Sequence, residues 1–586
     1  MSQFFKMLFA SIFGFFIALF LVFLLLIGIG MSIGSSISKT ETVSVLPNSV
    51  LKINLNTLID EQSNDNPLAK LTGESATVQG LSDIIKSIHF AKTDDKIKGI
   101  YLSMGLAPTS YANLYEIRVA LNDFKTSGKF IYAYGDVVSQ HGYYVASVAD
   151  SVFLNPQGYF EFAGMSSQTM FILGMLEKLE IEPKIFYCGK YKSATESLRR
   201  KDMSPENEEQ TMAYLNDIYN EIVKGIADSR HISTATVDSI ADNLLIRKPI
   251  DALQLGFVDG LKYEDEVLNL LKEKTAVAKD KEVSFIPLNK YKNVENIDGI
   301  TSLKDKIAVV YAEGNIVQGK SNNDLGSDDF VKIIRKIRKD PKIRAVVLRV
   351  NSPGGSALAS DIMWRELVLL KNEKPLIVSM GTYAASGGYY ISCMADTIVA
   401  EPTTITGSIG VFGVLPNFAK FFTNKLGITF DGVMTGKFSD LGNPNRAMTD
   451  EEGSIIQNSV NITYATFLER VAEGRGTDTA TIHQIAQGRV WTGNQALANG
   501  LVDVLGTKDT AIKIAALKAN ITQYRVVEYP KVRDAITQLL DDLKGDQEAQ
   551  ALQSKLGPLY PFYLQMQQLQ TYTGVQARLP FEVVIK

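Results

Sequence analysis

Two passages of this chain are one passage written twice. Gly135 to Gly164 reads GDVVSQHGYYVASVADSVFLNPQGYFEFAG, and Gly381 to Gly410 reads GTYAASGGYYISCMADTIVAEPTTITGSIG. At a single offset of 246, Gly135, Gly142, Tyr143, Tyr144, Ala149, Asp150, Pro156 and Gly164 meet Gly381, Gly388, Tyr389, Tyr390, Ala395, Asp396, Pro402 and Gly410. Further on, Ala252, Leu253, Gly256, Val258 and Asp259 meet Ala496, Leu497, Gly500, Val502 and Asp503 at an offset of 244. An internal repeat of that length means two copies of one fold. The 586 residues therefore form two homologous halves rather than one core. The copies differ where chemistry would sit, because Gln140 in the first faces Ser386 in the second. One half keeps a nucleophile, and the other must supply something else.

Each half reads as α/β. In the second, IAVVYAEGNIV (307–317), AVVLRV (345–350), PLIVSM (375–380) and DTIVAE (396–401) are strand runs. They alternate with helical patterns such as SDDFVKIIRKIRKD (327–340), where Ser327 reads as an N-cap and Phe330, Ile333, Ile334 and Ile337 share a face. IKGIYLSMG (97–105) and KFIYAYGD (129–136) repeat the pattern in the first half. Such alternation predicts parallel sheets covered by helices. The expected domains are 45–278 and 305–530, joined by a polar linker from Lys279 to Lys304 and followed by an extension over 531–586. The Gln-rich stretch Gln547–Gln570 reads as an exposed helix or an oligomer contact.

Residues 1–38 read differently. No charge appears between Lys6 and Lys39, and Met7 to Ile33 is almost wholly apolar. Roughly 20 apolar residues cross a bilayer as a helix, whereas a signal-peptide core takes about 7–15. A retained transmembrane anchor is expected, with 1–38 as cytoplasmic tip and anchor and the rest across the membrane. Cleavage near Gly34–Ser36 is the alternative. Net charge is −4, which gives no basis for nucleic-acid binding. Cys188 and Cys393 occupy non-matching repeat positions and are expected to be buried free thiols.

Ser386 lies in Ala384-Ala385-Ser386-Gly387-Gly388-Tyr389-Tyr390, after a strand run and at a helix start. Small neighbours allow a sharp turn and close substrate approach, and amides at a helix start can hold an oxyanion. A serine at a helix entry is also ordinary in α/β proteins. Ser352-Pro353-Gly354-Gly355-Ser356 ends a strand at the same sheet edge, where ligands of open α/β sheets collect; by itself it is a Pro-Gly turn. The first half has Leu106-Ala107-Pro108-Thr109-Ser110 there and lacks the glycine pair. Of the four histidines, His89, His141, His231 and His483, none falls in a motif near the serine. A desolvated, neutral lysine can serve as base instead.

These motifs, with Gly189-Lys190-Tyr191-Lys192-Ser193-Ala194 and Thr406-Gly407-Ser408-Ile409-Gly410, resemble the signal peptide peptidase A family (peptidase family S49) in its long, double-domain form. The resemblance runs from the anchor to about residue 530 and implies two tandem Clp protease/crotonase-like α/β domains. It implies Ser386 as nucleophile and Lys192 as general base. Ser408 would aim the lysine amine, and Gly387 with Gly354 and Gly355 would form the oxyanion hole. The first half would then supply the base and the second the nucleophile. Gly189-Lys190 aligns with Gly436-Lys437 at an offset of 247, so Lys192 faces Ser439. Lys190 is the second candidate for the base, but it recurs in both halves.

The expected activity is a membrane-anchored serine endopeptidase acting on remnant signal peptides and other hydrophobic peptides, with no cofactor and no metal. The resemblance also implies a homotetramer in the inner membrane, with the catalytic domains on the extracytoplasmic side. Two other readings belong to different classes: a non-catalytic membrane scaffold on a decayed protease fold, and a crotonase-type acyl-CoA enzyme.

Overall fold

The computed structural model describes residues 3–7, 13–17, 19–21, 44–63, 78–278, 280–295, 297, 302–321, 324–530 and 575–579. Among them no helix is long and apolar enough to cross a membrane. The predicted span Met7–Ile33 lies largely outside the described residues, as does Gln547–Gln570.

Each half is built on a sheet whose core strands are parallel. The first runs Gly260–Leu261, Ser151–Phe160, Phe130–Val138, Ile97–Ser103, Ser49–Asn54 and Phe285–Pro287. The second repeats that order with Val504–Leu505, Thr397–Ala400, Leu376–Ala385, Ile343–Ser352, Lys306–Glu313 and Arg525–Tyr529. Ile405–Gly407 and Val490–Thr492 extend it beyond Leu376–Ala385, the last pair antiparallel. The strand runs read as continuous apolar sequence because both faces are covered. Ile307, Val309 and Tyr311 pack on one side with Ala511 and Ala515, while Ala308, Val310 and Ala312 pack on the other with Phe330, Ile334 and Trp364. Period-two alternation divides one run between two cores.

Three expectations need correction. Residues 307–317 are not one strand: Lys306–Glu313 ends, and Ile316–Val317 joins a different sheet. Ser327 is the first residue of its helix rather than the cap; the N-cap is Gly326, and Ser327 Oγ accepts from the Gly319 amide instead. The linker is not wholly polar connection. Phe285–Pro287 pairs with the first half's Ser49–Asn54, and Tyr291 and Leu288 are buried in its core.

A third sheet joins the halves. Its order is Leu325–Gly326, Ile316–Val317, Gly354–Ser356, Val575–Arg578, Val411–Asn417 and Glu182–Cys188. Only the last strand comes from the first half. Val575–Arg578 comes from the far end of the chain, so part of the 531–586 extension is built into this sheet. The seam is also apolar, since Ala385, Ile405, Val490 and Leu579 pack into the first half's core cluster.

Candidate active site

Ser386 and Ser408 share an unusual backbone geometry. Ser386 closes the strand Leu376–Ala385 with φ 54° and ψ −113°, and Ser408 follows Ile405–Gly407 with φ 48°. Side chains with a Cβ rarely occupy these regions, and such strain persists where the surrounding structure over-determines it, often at functional sites. The Ser386 amide donates to Gly407 O at 2.8 Å, tying the two turns together. The short helix Gly387–Tyr390 follows directly, so the Gly387 amide precedes the first intrahelical bond.

Lys192 arrives from the other half through the shared sheet. Glu182–Cys188 pairs antiparallel with Val411–Asn417 over seven residues, with Cys188 opposite Val411. The first-half chain therefore leaves the ladder beside Ser408 to Gly410. Gly189 (φ 100°) makes the turn, and a Cβ there would sit 2.3 Å from the Gln487 carbonyl. Gly488 is equally constrained, since its Cβ would lie 2.6 Å from that of Lys192. The Tyr191 amide donates to Gln487 O at 3.0 Å.

The result is a fully buried lysine whose Nζ lies 3.0 Å from Ser386 Oγ, 3.0 Å from Ser408 Oγ and 3.2 Å from Ser408 O. Burial pushes its ammonium well below the ordinary lysine value. Three contacts suit a neutral amine. Its N–H groups donate to Ser408 O and Oγ and reach Ser386 Oγ, whose hydroxyl donates to Gly410 O at 3.5 Å; a neutral amine can turn its lone pair to that hydroxyl as it reacts. Lys190, the other candidate, is exposed and lies over the Tyr191 ring.

The glycine loop packs against the same turn. Gly354 has φ 97°, and a Cβ there would stand 2.6 Å from the Gly387 amide nitrogen. The Gly354 amide itself donates to Ser352 Oγ at 3.2 Å. Gly354, Gly355 and Ser356 pair antiparallel with Arg578, Ala577 and Gln576. The Ala577 carbonyl faces the glycines: it lies 2.2 Å from a Cβ built on Gly354 and 3.1 Å from one built on Gly387. An extended segment of the chain's own C-terminal region thus occupies the cleft.

The histidines lie elsewhere. His141 stacks on Tyr111 at 4.1 Å, and burial pushes its imidazolium down to about 4. His483 Nδ1 meets Tyr464 OH, His89 meets Asp509, and His231 ends a helix. In the first half, Gln140 donates to Tyr111 OH and accepts from the Gly164 amide, filling the place of the serine. Both cysteines are free; Cys393 is buried, but Cys188 is only half-buried because it ends the strand at the seam.

Several residues at the seam escaped the sequence reading. Gln210 donates to Tyr191 O and Ser193 Oγ and accepts from the Val490 amide, bridging the halves beside Lys192. The Arg489 guanidinium lies between the Tyr191 and Trp491 rings, 4.8 and 4.5 Å from their centroids, and pairs with Glu209.

A model described as peptidase family S49 matches residues 123–278 and 368–522. The chain is similar to a protein named serine protease SPPA, chloroplastic, of Arabidopsis thaliana, at 36% identity over 80% of this chain and 70% of that one. It is similar to Protease 4 of Salmonella typhi at 35% identity, over 81% of this chain and 78% of the relative. Protease 4 of Haemophilus influenzae is 36% identical, over 82% and 81%.

Proposed function

The chain belongs to peptidase family S49 and is a serine endopeptidase; on that premise we propose that it cleaves hydrophobic peptides, remnant signal peptides among them, with a Ser386–Lys192 dyad split across its halves. The observation that carries the dyad is the 3.0 Å contact between Ser386 Oγ and the fully buried Lys192 Nζ. Neutral Lys192 takes the Ser386 proton as Oγ attacks the scissile carbonyl. Ser408 holds the amine in line. The Gly387 amide, with an amide of the Gly354–Gly355 loop, receives the developing oxyanion. Lys192 then gives its proton to the leaving amine, and an acyl-enzyme remains. Water attacks that ester while Lys192 again takes a proton; as the bond to Oγ breaks, Lys192 returns that proton to Ser386 and the acid product leaves.

In this reading the repeats 45–278 and 305–530 are Clp protease/crotonase-like domains, the first giving the base and the second the nucleophile. Met7–Ile33 anchors the protein in the inner membrane, with the catalytic domains outside the cytoplasm, and four copies assemble. The antiparallel seat of Val575–Arg578 along Gly354–Ser356 supports an extended peptide as the substrate form.

The test is cleavage of a fluorogenic hydrophobic peptide by the detergent-solubilised full chain, with Ser386→Ala beside it and a serine-directed acylating probe. Cleavage and probe attachment are expected in the parent and absent from the variant. A parent that cleaves nothing and takes no label would favour the scaffold reading. A second expectation follows from the occupied cleft. A tethered segment competes at high effective concentration, so deleting residues 575–586 is expected to raise kcat/KM for the added peptide. A lower value would mean that this strand builds the groove rather than filling it.

A further inference from the structure

The mechanism leaves one buried amide beside Lys192 unused. Gln210 lies on the helix Pro205–Arg230, and its side chain touches both segments that place the base. Its Nε2 donates to Tyr191 O at 3.1 Å and to Ser193 Oγ at 2.9 Å, so it grips the residues on either side of Lys192. Its Oε1 accepts from the Val490 amide of the second half at 3.2 Å. A carbonyl on one side and an amide N–H on the other admit one orientation of the side-chain amide.

Val490 ends a short spacer. Residues Gln487 to Val490 run between the segment that carries the base and the turn that aims it. On one side Gln487 O accepts from the Tyr191 amide, and Gly488 packs on Lys192 too closely to admit a Cβ. On the other, the Gly488 amide donates to Ile409 O at 2.8 Å, and Arg489 O accepts from the Ser408 amide at 2.7 Å. Val490 itself pairs with Gly407, the residue before Ser408. The spacer therefore sets how far Lys192 stands from Ser408 and, through the bond from the Ser386 amide to Gly407 O, from Ser386. Gln210 ties this spacer to the base's own segment.

Gln210 is itself held. Its Nε2 also donates to Asn207 Oδ1 at 3.2 Å, and Asn207 Nδ2 donates to Glu196 Oε2 at 3.0 Å. Glu196 is a buried carboxylate that accepts from the Ser204 amide and hydroxyl and pairs with Arg199. The free amides at the start of the helix Pro205–Arg230 favour a negative charge there. A charge-anchored chain, Glu196 to Asn207 to Gln210, thus ends on the backbone that carries the base. The repeat supplies a contrast. The helix Asp450–Arg475 matches Pro205–Arg230 at an offset of 245; each has 26 residues and is capped by Ser204 or Thr449. Gln210 then corresponds to Ile455, while Lys192 and Glu196 correspond to Ser439 and Asn443 at the offset of 247. The half that delivers no base has neither the amide nor the carboxylate at these positions.

We propose, on the dyad reading above, that Gln210 is a positioning residue for the reaction: its amide locks Tyr191–Ser193 to Val490 and so holds Lys192 Nζ within reach of both Ser386 and Ser408. Gln210 touches no reacting atom and acts through the two segments it joins. An apolar side chain of similar length would leave Tyr191 O and the Val490 amide buried without that partner. The segments would then loosen against each other, and water would enter beside the amine.

The test is peptide cleavage across pH by the detergent-solubilised full chain carrying Gln210→Met, with thermal unfolding beside it. Misplacing a reacting group by about 1 Å costs up to about 10²-fold, so kcat is expected to fall about 10- to 100-fold with KM nearly unchanged. Water at the site returns hydration that burial denies the Lys192 ammonium, so the rising limb of the pH profile is expected to move toward the ordinary lysine value. The charged groups flanking this part of the seam keep their partners in the variant, Glu196 with Arg199 and Glu209 with Arg489. Asp217→Ala is the comparison for a merely structural contact: it removes the acceptor of the Thr492 hydroxyl on the same helix, and it is expected to lower the melting temperature without moving kcat or the limb. Should Gln210→Met not fold, Asn207→Ala frees Gln210 without emptying its place and is expected to move the same two readouts less far. Parental kcat and limb in the folded variant, or changes that Asp217→Ala reproduces, would overturn the positioning role alone. A rising limb that persists in Lys192→Met would overturn the dyad and the role of Gln210 together.

Discussion

Lys192→Met is expected to slow acylation of Ser386 by orders of magnitude while raising the melting temperature. General-base assistance contributes about 10²–10⁴-fold, and kcat/KM should fall by at least that factor. In the parent, kcat/KM should climb with pH as the lysine loses its proton and level off above its depressed pKa; the variant's residual rate should lack that limb. The stability change has a definite sign. Between the depressed folded value and the ordinary 10.5, an unfolded Lys192 holds a proton that the folded one lacks. Parent stability therefore rises with pH across that window. Methionine has similar bulk and no proton to lose. Its gain should be largest at and below the depressed value and shrink as pH approaches the ordinary lysine value. Thermal unfolding at several pH values, beside peptide cleavage, checks both parts. A variant less stable than the parent at every pH would mean that the hydrogen bonds to Ser386 and Ser408 outweigh the desolvation of the amine.

Legibility followed whether a signal was local. The strand runs Ile97–Ser103, Phe130–Val138 and Ile343–Ser352 could be read because both faces are buried and the residues are apolar throughout. The repeat predicted two equivalent sheets, and their strand orders agree. Ser386 and the glycine loops stood out as motifs. Lys192 did not: nothing in its spacing separates it from other lysines, and only the family resemblance selected it. The physical reason it is buried, the ladder between Glu182–Cys188 and Val411–Asn417, joins residues more than two hundred positions apart. Val575–Arg578 was missed for the same reason, being four residues with no local partner. Arg349 and Glu401 were legible and passed over. A charge inside the apolar runs AVVLRV and DTIVAE signals a buried ion pair, because an unpaired charge there would be too costly.

That pair belongs to a cluster for which the second large effect is expected: Arg349→Met should destabilise the seam by about 3–5 kcal/mol, the usual result of removing one partner from a buried ionic group. The fully buried guanidinium lies 2.9 Å from Glu61, 3.0 Å from Glu116 and 3.1 Å from Glu401, and it donates to Ser379 Oγ. Glu61 and Glu116 come from the first half, Arg349 and Glu401 from the second. Burial works to raise the Glu116 carboxyl, but Arg349 and its other partners hold it below the ordinary range. Burial and then Glu116 push the Glu401 carboxyl well above its ordinary range. The guanidinium thus faces three acidic side chains at once. Lys508 extends the cluster, its amide donating to Glu116 and its amine to Tyr311 OH. Methionine would fill the space and strand the negative charge. Since these groups press the halves together, Lys192 should lose its place against Ser386, and acylation should fall with the melting temperature. Adding Glu61→Gln and Glu116→Gln to Arg349→Met should recover part of both, because the penalty lies in the unpaired carboxylates rather than in the lost bonds. A raised carboxyl stabilises the fold at low pH and stops doing so as pH rises through its folded value. Stability is therefore expected to fall as pH rises from the ordinary carboxyl range toward the raised Glu401 value. Glu401→Gln has no proton to lose, so thermal unfolding at several pH values should show that fall in the parent and not in the variant.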